Sequence, residues 1–483
     1  MSDSLSLELG RWVRRTAFDD LPPDVVEATK NRILDVIGLS LAGAGTAFGR
    51  SVLEASVALS PPGPCRALGT GHRLGVTTAA FVNGSWSQAL EYDDTHNESI
   101  VHMSSPSVAA ALALAEYLAA QAGDSSETAP VSGRDLIAAI AIGNEISCRV
   151  GSVSPGQFHR LGFHPSGLFA PFGVTYLAGR LLGLDADQLA RAAGICGSFA
   201  AGILECWVDG TQPKFLHPGW AAQSGITAAF LGRAGTTGPA AVFEGRFGLF
   251  SSHLQDPQVA RDFRRITQEL GTRWDSRRAS FKPFPAAHVL HPYIDALLRL
   301  RATHGITPAD VERIDCPVAA FIVPIVCEPV AEKMAPASDS HGRVSLQYTL
   351  AEALALGELG KTAYREASLM NSEILALARR VRYTVDPAYP GPGHFKGEVR
   401  ITLKDGRSVV EVEEFNRGSF ENPMTDVELR DKFDDNASEH LSAGARDRLV
   451  GEIRRLELLP DASVLVGLAI ASPRKTGSVN TVT

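Results

Sequence analysis

The sequence predicts a mainly α fold, with a large all-helical domain formed by both chain ends and a smaller α+β domain set between them. Three observations predict it. Small and aliphatic residues recur at helical spacing, with frequent alanine runs, through about the first 270 residues. Beyond about residue 276, apolar residues alternate on either side of Asp405-Gly406, the period of strands. Thr425 and Glu428 then form the signature of a helix N-terminal capping box, and helical patterning returns. The expected division is 1–275, 276–419 and 420–483, the last part rejoining the first and ending in a polar tail expected to be mobile after about residue 472. A chain of 483 residues has room for two or three such units.

The elements follow in order. Pro22-Pro23 opens a helix with Val25, Val26, Ile33, Leu34, Ile37 and Leu41 on one face, and Gly43 closes it. Further helices are expected over 76–90, 106–120 and 136–150, the last opened by Ser132 and Asp135. Two more begin at Pro165 and Pro218, each dense in small residues that allow close helix packing. In the insert, Val381, Tyr383 and Val385 alternate. Val399, Ile401 and Leu403 lead into the Asp-Gly turn, and Val410 and Val412 leave it, a hairpin signal. Helices over 291–304, 346–359 and 368–379 lie among these strands, and 445–457 completes the helical return.

Composition narrows the function. Hydrophobic residues make up 45% and the net charge is −8, which describes an ordinary globular chain and argues against a nucleic-acid or anionic-membrane surface. Six cysteines without a CxxC pair read as free thiols in a reducing compartment. The N-terminus has neither a basic nor an apolar signal region, so a cytoplasmic protein is expected. The glycine spacings at 43–49 and 69–75 are one residue too long for a dinucleotide fingerprint, and GxxxxGK[ST], GxSxG and HExxH are missing.

What remains is four polar clusters beside helix ends. Glu91-Tyr92-Asp93-Asp94-Thr95-His96, running on to His102, places three carboxylates after a helix C-terminus, where they oppose the macrodipole. A sequence tolerating that either ties them into networks or uses them. His164-Pro165 and Lys214 with His217-Pro218 precede two helix starts. Lys282, His288 and His291-Pro292 form the fourth group. Histidines move protons near neutrality, and lysines and helix N-termini hold carboxylates. An acidic chain that gathers His and Lys at helix starts reads as a pocket for a small polycarboxylate. No second acidic cluster converges on Asp93 and Asp94, so no metal site is expected.

These strings resemble the MmgE/PrpD family, which includes 2-methylcitrate dehydratases, cis-aconitate decarboxylases and iminodisuccinate epimerases. The matching strings are EYDDTH, GFHPSGLFAPFG, DGTQPKFLHPGWAAQSG, FEGRFGLF, FKPFPAAHVLHPYIDA, SLQYTLAEALALG and NPMTDVELRDKF, in family order over about residues 10–465. The resemblance implies a helical domain from both chain ends, an α+β lid, a homodimer and a cofactor-independent lyase. It implies His102, His164, Lys214 and Lys282 as catalytic residues. Glu91, Asp93, Thr95, His217, His288 and His291 would bind or orient the substrate. Three departures stand out from the decarboxylase pattern: Met103 follows His102, Ala287 stands where that pattern has histidine, and the tyrosine near Phe321 is missing. The leading expectation is dehydration of a 2-methylcitrate-type acid by proton abstraction alpha to a carboxylate. Decarboxylation of the cis-aconitate type, or epimerisation of a dicarboxylate, are the alternatives.

Overall fold

A computed structural model describes residues 4–124, 129–391 and 393–470. The tail expected to be mobile lies outside the described residues. The protein is 56% helical with small sheets, so the mainly α expectation holds.

Two hydrophobic cores organise the chain. One draws on residues 9–279 and again on 433–469, and the second on residues 284–403. In the first, the Pro23–Ala44 helix packs on Val76–Gln88, Ser104–Asp124 and Gly133–Gly151, and the late helix Asp426–Ala437 packs on it too. Pro165–Leu181 and His217–Arg233 form the most extensively packed helix pair. Their small residues have a geometric purpose. A Cβ on Gly219 would lie 2.2 Å from the Phe81 carbonyl oxygen, so only glycine lets the start of His217–Arg233 touch the Val76–Gln88 backbone. That contact brings the histidine at one helix start toward the acidic turn after the other.

The second core holds a four-stranded sheet in the order Val381–Val385, Val311–Val318, Gly397–Leu403, Ser408–Glu413. The Asp405-Gly406 hairpin forms as expected, with Gly397 paired to Glu413 and Gly406 at φ +86°. Its central strand, Val311–Val318, was not among the expected elements, and it pairs parallel with Val381–Val385. Residues 311–318 mix charged and apolar side chains with one proline, which blurs the alternation. The Thr425–Glu428 capping box forms, Thr425 Oγ1 accepting from Glu428 N and Glu428 accepting from Thr425 N. Ser132 caps Gly133–Gly151 as expected, and the helix expected from Pro106 starts two residues earlier, at Ser104. All six cysteines are free and buried. Among the described residues no single helix is long and apolar enough to cross a membrane.

The helix that begins at Gly133 meets the C-terminal return of the chain tightly. A Cβ on Gly133 would lie 1.6 Å from the Leu456 carbonyl oxygen, a contact the backbone can relieve only by moving. Gly133→Ala should therefore lower stability by about 2 kcal/mol or more through overpacking. Gly451→Ala, at an exposed helical glycine with open space around it, should raise stability by about 0.5–1 kcal/mol. Urea midpoints of the two variants test this, and equal midpoints would contradict the close packing.

Candidate active site

The Val76–Gln88 helix ends in a turn, residues 89–94, on which the rest of the site is assembled. Glu91 adopts φ +55°, a left-handed conformation that is costly for a residue with a side chain. It persists because the turn is tied from several directions. Arg343 Nη1 donates to Leu90 O at 3.0 Å, Lys282 Nζ to Glu91 O at 2.9 Å, and Lys432 Nζ to Tyr92 O at 3.0 Å. His102 Nδ1 lies 3.0 Å from Asp94 O. Cationic or polar side chains from four separate segments thus satisfy the carbonyls of one turn.

The three carboxylates of this turn are all buried and all paired, although for Asp94 burial still outweighs its partners and raises the carboxyl. Glu91 receives Lys214 Nζ on both oxygens, at 2.5 and 2.6 Å, and Lys282 Nζ at 3.2 Å. Burial alone would raise its carboxyl. Lys214, Lys282 and His102 outweigh burial and hold it well below the usual carboxylate range. Asp93 accepts from Ser105 Oγ at 2.9 Å and lies 3.2 Å from His102 Nδ1. Burial would raise it as well, yet His102 keeps it low. Asp94 pairs with Arg32 Nε at 3.1 Å and accepts from Ser104 Oγ at 2.6 Å. The carboxylates that oppose one helix dipole therefore serve the start of the next helix, Ser104–Asp124.

His102 faces two oxygen acceptors at Nδ1, the Asp93 carboxylate and the Asp94 carbonyl, with Thr95 Oγ1 at 3.3 Å. That fixes its proton on Nδ1 and leaves Nε2 for chemistry. Its backbone N–H donates to Ser166 Oγ at 2.9 Å, which ties the His102 loop to the start of the Pro165–Leu181 helix. The His102 and His164 ring centroids are 5.6 Å apart. His164, just before Pro165–Leu181, contacts His217 through the two Nδ1 atoms at 2.8 Å. One Nδ1 carries the proton and the other accepts it, so at least one ring of the pair is neutral. Burial drives both titrations down, that of His217 to about 4 and that of His164 well below its ordinary value. His164 Nε2 is buried without a hydrogen-bond partner.

Eight of the ten expected residues therefore gather around one turn: Glu91, Lys214 and Lys282; Asp93, Thr95 and His102; His164 and His217. His288 and His291 make their hydrogen bonds elsewhere, beside the second core, although Lys282 is near enough for its charge to help burial lower both titrations. His291 Nε2 lies 3.2 Å from Ala286 O, and His288 Nε2 faces Asn416 at 2.9 Å. Neither makes a hydrogen bond to the lysine–glutamate group in the described residues. Sequence reasoning missed Arg343 and Lys432, which hold carbonyls of the turn. Arg343, a cation just before the buried Leu346–Leu356 helix, offered some signal, whereas Lys432 reads as one more charge on a polar helix.

Each of the two site lysines makes two bonds within the cluster, which leaves each ammonium one N–H for an added carboxylate. Glu91 and Lys214, with Cys206, Trp207, Ser340 and Val344, line a cavity of only about 10 Å³. That is room for about one water, so a substrate enters only if the surrounding walls separate. No three His, Cys, Asp or Glu side chains are gathered as metal ligands among the described residues.

The MmgE/PrpD N-terminal domain matches residues 7–262 and the MmgE/PrpD C-terminal domain matches residues 284–458. The chain is 27% identical to the cis-aconitate decarboxylase-like protein oryM of Aspergillus oryzae, over 96% of this chain and 97% of that protein. It is 28% identical to the cis-aconitate decarboxylase of Mus musculus, over 97% and 94%. Identity to the 2-methylcitrate dehydratase of Escherichia coli is 23%, over 69% and 68%.

The neutral histidine pair sets a pH dependence. With His217 at about 4 folded and 6.5 unfolded, the unfolded chain binds more protons between those values. Its contribution to stability is complete above about pH 6.5 and is lost as pH falls toward 4. His217→Gln should flatten the stability–pH curve by about 2 kcal/mol between pH 7 and 5. Urea melts at the two pH values measure it, and an unchanged slope would contradict a neutral buried His217.

Proposed function

The chain belongs to the MmgE/PrpD family, and on that footing we propose that it is a lyase that decarboxylates an unsaturated tricarboxylate of the cis-aconitate type. The observation that carries the reading is the buried Lys214–Glu91–Lys282 group beside the Asp93–His102 pair. The expectation from sequence put dehydration first. The alternative, decarboxylation, is the better supported, because the cis-aconitate decarboxylases match nearly the whole chain and the dehydratase about two thirds of it.

In this reading Lys214 and Lys282 hold substrate carboxylates with their remaining N–H groups. The bond between the substrate methylene and its carboxylate breaks and carbon dioxide leaves. The electron pair moves through the adjacent double bond into the neighbouring carboxylate, where the lysines stabilise the developing charge. His102, as an imidazolium supported by Asp93, delivers a proton from Nε2 to the carbanion carbon. Thr95 and the neutral His164–His217 pair orient His102 and the substrate. The chemistry is assigned to side chains alone. The first core acts as a helical body built from both chain ends and the second as an α+β lid, with Lys282 at the junction.

Carbon NMR in deuterated water tests the reaction. Incubation with cis-aconitate should release carbon dioxide and leave one deuterium in the product. Water loss from 2-methylcitrate without carbon dioxide release would restore the dehydratase reading, and deuterium uptake without net product would favour an epimerase. His102→Asn should lower kcat about 10²- to 10⁴-fold. Lys282→Met, which keeps most of the buried volume, should lower kcat/KM about 30- to 1000-fold. Near-normal turnover in either folded variant would remove that residue from the mechanism.

The same reading carries a homodimer joined through the helical body. Light scattering at micromolar concentration should give twice the 51.4 kDa chain mass, and a monomer would count against it.

A further inference from the structure

A second, larger opening lies next to the closed cavity. A groove of about 570 Å³ runs between residues 159–162 and 203–208 on one side and residues 324–333 on the other. The Trp207 side chain belongs to both walls and separates the groove from the small cavity around Glu91 and Lys214.

Lys333 lines this groove from the short Val330–Met334 helix and is only 2% exposed. Its environment differs from that of every other buried lysine described. Lys30, Lys214, Lys282 and Lys432 each pair with a carboxylate. Lys333 makes no ion pair among the described residues, and its Nζ donates to a single acceptor, Val344 O, at 2.7 Å. Two N–H groups of a buried ammonium are left for another partner, an arrangement proteins rarely keep without a reason. Val344 itself lines the small cavity, so this ammonium sits one peptide group away from the site. Two further polar atoms in this region are buried without a hydrogen-bond partner. They are Trp207 Nε1 and His341 Nε2, the latter 3.8 Å from the half-exposed Glu332 carboxylate. Burial lowers the Lys333 amine to about 8, which still leaves it mostly charged at neutral pH.

We propose that Lys333, with the Trp207 indole N–H, is an outer carboxylate-binding station that makes the site select tricarboxylates over dicarboxylates, and that the groove is the substrate's way in. This rests on the reading of Lys214 and Lys282 as the inner carboxylate station. Three ammonium groups then match three carboxylates. Closure of the groove moves the outer carboxylate against Lys333, while Lys214 and Lys282 hold the other two.

Calorimetric binding separates this from the reaction itself. The probes are propane-1,2,3-tricarboxylate, which is unreactive, and glutarate, the same carbon chain without the middle carboxylate. The native protein should prefer the tricarboxylate. Lys333→Met should weaken tricarboxylate binding about 10- to 100-fold and leave glutarate within about twofold. Lys333→Arg should restore most of the preference. Trp207→Phe, which keeps a ring and removes only the N–H, should weaken the tricarboxylate severalfold and serves as the test if Lys333→Met does not fold. Equal weakening of both ligands, an unchanged tricarboxylate affinity, or no preference in the native protein would overturn the proposal. Failure to release carbon dioxide from cis-aconitate, with tricarboxylate binding still dependent on Lys333, would overturn the assigned reaction and leave this station intact.

Discussion

The structure depends on one constraint: three carboxylates and a strained turn are buried together after the Val76–Gln88 helix, and none can be left without a partner. An ionised carboxylate taken out of water costs several kcal/mol unless cations and donors replace its hydration. The chain meets this with groups from distant segments. Arg32, His102, Lys214, Lys282, Arg343 and Lys432 all converge on residues 90–94, whether on a carboxylate or on a carbonyl. Once those partners are in place, the first core and the second are joined at the same point.

This arrangement also shows how a chain of net charge −8 gathers two ammonium groups at one buried place. Glu91 takes two contacts from each lysine, so the lysines stay charged and positioned while each keeps an N–H to spare. Glu91 thus fixes the positions of both cations, an electrostatic preorganisation set by the fold itself. The histidines are sorted by the same environment. His102 is held between the Asp93 carboxylate and the Asp94 carbonyl, whereas His164 and His217 share one hydrogen bond and burial lowers both their titrations.

Much of this was legible in the residues. Capping signals, the Asp-Gly hairpin, the Pro-led helix starts and the Gly/Ala-rich helices are local and were read directly, because they depend on neighbours within a turn or two. The clustered Glu91, Asp93 and His102, and the histidines and lysines beside helix starts, were legible because each stands out against its local context. The strand Val311–Val318 was not, since a charged, proline-bearing strand gains its place only from its two neighbours in the sheet.

The sequence by itself determined which elements form and which side chains carry charge or protons to a helix end. Tertiary structure decided which of those meet. Nothing local says that Lys432, on an otherwise polar helix, closes over Tyr92, or that Arg343 secures Leu90. Nor does it say that His288 and His291 belong to the second core while His217 joins His164. Lys333 is the clearest case. In the sequence it is one lysine beside a glutamate, and only packing removes its water without supplying a carboxylate, because burial is a property of the assembled fold and not of the chain.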